Sequence, residues 1–186
     1  MSRPEIPLEQ SYFDSKVYLS VSGQLHLESM SYGLGNTYTL SPAFRAENSK
    51  SPLHLSEFYM LEAEMPCNDL TQLTAFIKTM IEKTTADILD KSITDLELCQ
   101  KKSQGSIDLS WLNQKWTTLA YDEALEIVLK NQKIFKTPVK TSEGFSKEQE
   151  LFLVKHCSSP VFVVEWPRDQ KPFYMAQCKG KTTRVE

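Results

Sequence analysis

Two stretches of strand-like sequence, 38–47 and 54–65, stand on either side of a short polar loop at 48–52. Successive side chains of a β-strand point to opposite faces, so each stretch can be sorted into two sets of residues. The pattern predicts two strands joined by that loop, and Pro42 places the first strand at a sheet edge or a bulge.

One face of this predicted sheet collects charged and aromatic side chains. It carries Arg45, Glu47, His54, Phe58, Glu62 and Glu64. The opposite face, with Leu55, Tyr59 and Leu61, is mostly apolar and is expected to be packed. A solvated charged face is the ordinary explanation of such a pattern. Phe58 and Arg45 favour a binding site instead, because an aromatic ring can stack on a base and a guanidinium can bridge a phosphate and a carboxylate.

The rest of the chain predicts helices and then further strands. Asn68-Asp69 can cap a long helix at 70–91, along which apolar residues recur with a 3.6-residue period. Ser146 and Gln149 form a capping box for a helix that ends near residue 156. Other helices are predicted at 24–30 and 121–130, and other strands at 160–166 and from 171 onward. This order of strands, helices and strands indicates an α+β domain.

Composition limits the classes of function open to the chain. Its 186 residues are 40% hydrophobic and 24% charged, which predicts one globular domain with a sizeable core. The formal net charge of −3 gives no overall basic surface, so any nucleic-acid contact has to be local. No apolar run is long enough to predict a membrane span. The four cysteines are scattered without a Cys-x-x-Cys pair, which favours reduced thiols over a metal site.

The charged face also carries a family signature. The segment Phe44-Arg45-Ala46-Glu47, followed by His54-Leu55-x-Glu57-Phe58, resembles motif 2 of class II aminoacyl-tRNA synthetases of the aspartate, asparagine and lysine subgroup. Segments 21–28 and 171–175 are similar to further parts of that family and occur in the family's order. The resemblance extends over nearly the whole chain and is greatest to asparaginyl-tRNA synthetases of the bacterial and mitochondrial type.

Several positions favour asparagine as the substrate within that subgroup. Lysyl enzymes usually have an asparagine after the motif-2 histidine, where this chain has Leu55. Aspartyl enzymes carry a lysine three residues after a Ser-Pro-Gln segment, and Ser22-Gly23-Gln24 is followed by Leu27 at that position. The side-chain amide of asparagine is neutral and needs no ammonium partner. A lysine at the position of Leu27 would then be an unpaired buried charge, which is costly. Asn48-Ser49 is also typical of the asparaginyl group.

The resemblance implies that asparagine is activated with ATP and passed to the 3′ end of tRNA(Asn). By position in the motif, Arg45 would be the catalytic residue, binding the α-phosphate and the attacking carboxylate. Glu47 would orient the adenosine or the acceptor end, His54 would reach the polyphosphate, and Phe58 would stack on the adenine. The implied amino-acid-binding residues are Ser22, Gln24 and Glu62. Simple turn capping is the alternative role for Ser22 and His54.

The same resemblance implies an antiparallel sheet flanked by helices, as in the class II catalytic core. The expected division is an irregular segment at 1–11 and a partial catalytic domain at 12–186, with its helical region at about 68–158. The family continues beyond residue 186 to an acidic segment that binds Mg²⁺ and to an arginine that covers the other face of the adenine. The ligands of Mg²⁺ are therefore expected outside this chain, which is predicted to supply no metal site. The domain that reads the anticodon is also expected outside it, and the full-length form is expected to be a homodimer.

Other interpretations stay open beside an asparagine–tRNA ligase. The chain could be a non-catalytic binding or dimerisation module, or a relative that acts on aspartate or lysine. Closeness to organellar enzymes favours the mitochondrial matrix, and the alternative is the cytoplasm because the first residues resemble no transit peptide. The apolar strand at 160–166 is expected to be buried on both faces and to lack a neighbour, which makes its edge prone to aggregation.

Overall fold

The computed structural model of the protein describes residues 7–10, 12–48, 54–103, 109–140, 144–179 and 183–185. The chain forms two compact units, Met1–Asn68 and Asp69–Glu186. Both contain helices and strands, as expected for an α+β fold. The predicted division at residue 12 stays a prediction, although Leu8–Gln10, within the segment expected to be irregular, forms a 3₁₀ turn.

The first unit contains helix α1 (Gln24–Leu34) and an antiparallel pair of strands, β1 (Thr37–Phe44) and β2 (Glu57–Glu64). The register pairs Phe44 with Glu57 and Thr37 with Glu64. The two predicted strands are therefore present, each shorter than the sequence pattern indicated. Helix α1 is one turn longer than predicted and contacts both strands.

The prediction of which sheet face is packed is wrong. Exposure alternates along β2 so that Phe58 and Glu62 are half-buried, whereas Tyr59 and Leu61 are 75% and 54% exposed. The mixed polar face is the covered one, and on β1 it includes Ala43 at 1% exposure. Alternation fixes which residues share a face, but the position of α1 decides which face is covered.

The second unit begins with helix α2 (Leu70–Lys91), which has the predicted bounds. The Asp69 carboxylate accepts a hydrogen bond from the Gln72 N–H at 2.8 Å, and the Gln72 side chain accepts one from the Asp69 N–H at 2.9 Å. This reciprocal capping box gives the helix a defined start. Helix α3 (Ile93–Ser103) follows within a polar, weakly patterned stretch for which the sequence predicted no helix bounds, inside the region of about 68–158 expected to be helical.

Two strands and two helices form the core of this unit. Strand β3 (Thr117–Ala120) leads into helix α4 (Tyr121–Lys130), and helix α5 (Lys147–Cys157) leads into strand β4 (Val161–Val164). Strands β3 and β4 pair in parallel, with both helices in the connection between them. The buried centre is made of Ala124, Val128 and Leu153, with Leu119, Ile127, Phe135, Val139, Phe145 and Val163 packed around it.

Two predictions about the last strands are wrong. Strand β4 has a neighbour in β3, and its four residues are partly exposed rather than buried on both faces. The stretch from Lys171 to Met175 forms turns instead of a strand. A short antiparallel pair, β5 (Trp166–Pro167) with β6 (Arg184–Val185), brackets these turns. Among the described helices, none is long and apolar enough to cross a bilayer.

Candidate functional site

The candidate site is built around the half-buried face of the β1–β2 pair, within the first unit, and extends beyond the strand ends to the exposed Arg45, Glu47 and His54. Arg45 directly follows β1, and its N–H donates to the Ser56 carbonyl at 3.0 Å, which continues the pairing beyond the strands. Its Nε donates to the Val21 carbonyl at 3.4 Å, and its Cζ lies 5.5 Å from the centre of the Phe58 ring. A guanidinium at that distance from an aromatic ring makes a cation–π contact. The predicted phosphate ligand and the predicted adenine platform are therefore neighbours.

A second predicted pair lies next to this one along the chain. His54 Nε2 is 3.4 Å from Glu47 Oε2, and both side chains are about half exposed, at 50% and 49%. The contact is an ion pair when the imidazole is protonated. An exposed pair of this kind contributes about 0–1 kcal/mol to stability, so it orients the two side chains more than it stabilises the fold.

The predicted amino-acid-binding segment lies beside β2. Ser22 precedes helix α1, Gly23 is its N-cap and Gln24 is its first residue. The Gly23 N–H donates to Glu62 Oε2 at 2.7 Å, across 39 residues of sequence. A short hydrogen bond to a carboxylate is among the stronger protein hydrogen bonds. The negative charge of Glu62 also interacts favourably with the dipole of α1, because it lies at the helix N-terminus. Ser22 and Glu62 are half-buried, whereas the Gln24 side chain is exposed.

The structure thus brings the sequence-predicted residues together in three contacts on one small sheet. Arg45 meets Phe58, Glu47 meets His54, and Glu62 meets the segment between Ser22 and Gln24. Sequence reasoning gave Gly23 no role beyond its place in the motif. The available signal was a glycine between two polar residues just before a predicted helix.

Metal-ligating side chains do not cluster among the described residues. No group of three or more His, Cys, Asp or Glu side chains in the described ranges is placed to hold a metal ion. Carboxylate oxygens are the ligands Mg²⁺ prefers, but it binds them in near-octahedral geometry. In nucleotide sites one or two protein carboxylates, with substrate phosphates and waters, usually complete this geometry.

The second unit contains a separate open cleft of about 900 Å³. At its wall the Arg184 guanidinium donates to both oxygens of Asp122, each at 2.7 Å. Lys171, from the segment with family-like sequence, also lines the cleft, and its Nζ lies 3.6 Å from the centre of the Trp166 ring. Arg184 and Lys171 thus already interact with side chains of this unit, Asp122 and Trp166 respectively.

Comparison with known proteins assigns the chain to a class. The family of tRNA synthetases class II (D, K and N) matches residues 5–186. The chain therefore belongs to this family, as its motif-2 resemblance predicts. The chain is 41% identical over 172 residues to the asparaginyl-tRNA synthetase of Homo sapiens, and 35% identical over 180 residues to the asparagine–tRNA ligase of Onion yellows phytoplasma. These matches cover 90% and 94% of this chain but 36% of each relative, so the chain spans about a third of their length.

Solved structures agree with the fold. The asparaginyl-tRNA synthetase of Pyrococcus horikoshii, complexed with asparaginyl-adenylate, superposes with a TM-score of 0.78 at 29% identity, covering 94% of this chain and 39% of that one. The aspartyl-tRNA synthetase of Entamoeba histolytica superposes with a TM-score of 0.76 at 20% identity, over 91% of this chain and 35% of that one. The expected class II catalytic core, present in part, is confirmed. Among the more similar curated relatives, one from Saccharomyces cerevisiae is mitochondrial and others are bacterial.

Proposed function

We propose that this chain carries the ATP- and asparagine-binding part of an asparagine–tRNA ligase. The observation that carries the proposal is the arrangement of the exposed Arg45 against Phe58, with Phe58 and Glu62 on one half-buried sheet face and the Ser22–Gln24 segment beside Glu62. Relatives named asparagine–tRNA ligases, and a neighbour that holds asparaginyl-adenylate, support the same substrate.

Arg45 is assigned to the charge that develops during activation. The asparagine carboxylate oxygen attacks the α-phosphorus of ATP, the bond to the bridging oxygen breaks, and pyrophosphate leaves. A guanidinium can donate to the α-phosphate and to the attacking carboxylate at once. Its hydrogen bond to Val21 and its contact with Phe58 hold it in place before substrate arrives, so little reorganisation is needed during the reaction.

The other assigned residues bind substrate around this arginine. Phe58 stacks on the adenine, while His54 reaches the polyphosphate and Glu47 orients either the adenosine or the acceptor end. On the amino-acid side, the donors of asparagine meet Glu62, assisted by Ser22 and Gln24. A carboxylate accepts hydrogen bonds from an ammonium or an amide and repels a second carboxylate, which favours asparagine over aspartate.

Transfer to tRNA(Asn) and homodimer formation are proposed for the longer protein to which the relatives correspond. This chain spans about a third of their length. The family's use of ATP with Mg²⁺ implies carboxylate ligands that the described residues do not group together. The mitochondrial matrix is the proposed compartment, supported by the mitochondrial relatives of two yeasts. Fractionation that finds the protein in the cytosol would overturn that compartment.

ATP–pyrophosphate exchange tests the proposed activity. Asparagine, but not aspartate or lysine, should stimulate exchange by the purified chain. Arg45→Ala should lower the exchange rate by about 10²–10³-fold, the usual loss when a transition-state donor is removed. Arg168→Ala removes an exposed arginine from the second unit and should leave the rate unchanged. Exchange that is stimulated by aspartate instead would make the chain an aspartyl-type relative.

Ligand binding covers the case in which exchange is absent. A non-hydrolysable sulfamoyl analogue of asparaginyl-adenylate should bind the wild-type chain in calorimetry and bind Arg45→Ala more weakly. A folded chain that neither exchanges nor binds the analogue would contradict the proposed function. Co-purification with a full-length subunit would then identify a non-catalytic dimerisation module.

A further inference from the structure

Gly23 is held against two side chains of the β1–β2 pair. Its N–H donates to Glu62 Oε2 at 2.7 Å, and the place where a Cβ would stand is 3.2 Å from that same oxygen. The same place is also 3.2 Å from the Thr39 methyl group. Both distances are shorter than ordinary van der Waals contacts to a Cβ, so with any larger residue these two groups have to shift by a few tenths of an ångström.

The need for glycine here is one of space and not of backbone conformation. Gly23 has φ −93° and ψ 2°, which an alanine can adopt. An alanine would therefore keep the backbone and the N–H. Apart from the small cost of alanine at a helix N-cap, it would act by pushing on the Glu62 carboxylate and on Thr39. That makes the substitution a selective probe of where the carboxylate sits.

Glu62 has one oxygen engaged and the other available. Within the described residues the Gly23 N–H is the hydrogen-bond partner found for this carboxylate, and it occupies Oε2. The other oxygen can then accept from a ligand, and the fixed one prevents the side chain from rotating away. Ser22 and Gln24, on either side of Gly23, are the other residues assigned to the amino acid.

We infer that Gly23 is a positioning residue for asparagine: its N–H anchors Glu62, and its missing side chain leaves the carboxylate room to stand beside the Ser22–Gln24 segment. This inference rests on the proposed function, since Glu62 is the assigned acceptor for the substrate's donors. It adds that discrimination between asparagine and aspartate depends on a backbone N–H and on an absent methyl group.

Exchange kinetics test the positioning role. Gly23→Ala should raise the KM for asparagine on the order of tenfold or more, the range expected when a hydrogen bond to a charged group is misaligned, with the KM for ATP unchanged. Thr39→Ser added to Gly23→Ala removes one of the two close contacts and should recover part of the loss. Gly33→Ala, at an open position in α1, is the matched control and should change neither constant. Equal increases in both KM values, or no increase for asparagine, would overturn the inference.

Amide NMR tests the anchor even in a chain that shows no exchange. The protein has six glycines, so ¹⁵N-glycine labelling gives few resonances, and the Gly23 amide is the one missing from Gly23→Ala. Glu62→Gln replaces the charged acceptor with a weaker neutral one and should move the Gly23 amide proton upfield. Glu57→Gln, at an exposed position on β2, should leave it in place. A Gly23 amide proton that does not move in Glu62→Gln contradicts the anchor. If the proton moves upfield but the chain neither exchanges nor binds the adenylate analogue, the anchor stands and only the proposed function is contradicted.

Discussion

Replacement of Leu153 by alanine should destabilise the second unit by about 3.5 kcal/mol. Leu153 is 2% exposed and lies against Ala124 and Val128, which are fully buried. The change removes three carbon atoms, worth about 2.4 kcal/mol at ~0.8 kcal/mol each in lost transfer free energy. The small neighbours are poorly placed to fill the space, so a cavity term brings the total to about 3–4 kcal/mol, within the range measured for buried leucines.

Urea unfolding, monitored by tryptophan fluorescence, measures this loss of stability in the second unit. All three tryptophans lie in the second unit, at Trp111, Trp116 and Trp166. With a slope of about 1.5 kcal/mol per molar urea, the midpoint should fall by about 2 M. Leu151→Ala is the matched control on the same helix, because Leu151 is 59% exposed and should cost less than about 1 kcal/mol. Equal midpoints for the two variants would refute the assignment of the core.

Two further predictions concern the start of helix α2 and the reactivity of a thiol. Asp69→Ala removes the side chain that accepts a hydrogen bond from the Gln72 N–H and should lower the stability of the helix by about 1 kcal/mol. The loss should be seen as faster amide hydrogen exchange in the first turn of α2. Asp90→Ala, at an exposed position on the same helix, should leave that exchange unchanged. Burial raises the pKa of the Cys157 thiol, so near pH 8 a smaller fraction of this thiol is thiolate than in a free cysteine. Iodoacetamide should therefore modify Cys157 more slowly than the exposed Cys67. Equal rates for the two cysteines would contradict the assigned burial.

Local signals determined which parts of the fold could be predicted. Helix α2 has its predicted bounds because the Asp69 cap and the apolar period both lie within the helix itself. Strand β3 was missed because four residues, Thr117–Ala120, show no alternation and become a strand only through pairing with β4, more than forty residues away. Helix α3 was not delimited because its apolar positions are few and most of its residues are polar.

For the candidate site, too, the sequence predicted which residues take part but not the contacts they make. Alternation placed Arg45, Phe58 and Glu62 on one predicted face, and the resemblance to the family implied their roles. Which face would be covered could not be predicted, because the pattern treats the apolar side as the buried one. Partial burial of the Glu62 carboxylate would cost free energy if it had no hydrogen-bond partner, and the Gly23 N–H provides one.

One short segment, 20–23, ties both halves of the proposed site together. The Val21 carbonyl accepts from Arg45, which is assigned to ATP, and the Gly23 N–H donates to Glu62, which is assigned to asparagine. A shift of the whole segment would therefore disturb both substrates, whereas a methyl group at Gly23 disturbs the asparagine side alone. The selectivity of Gly23→Ala for one substrate is thus a consequence of where the two hydrogen bonds leave the segment, and a motif of residue types does not contain that information.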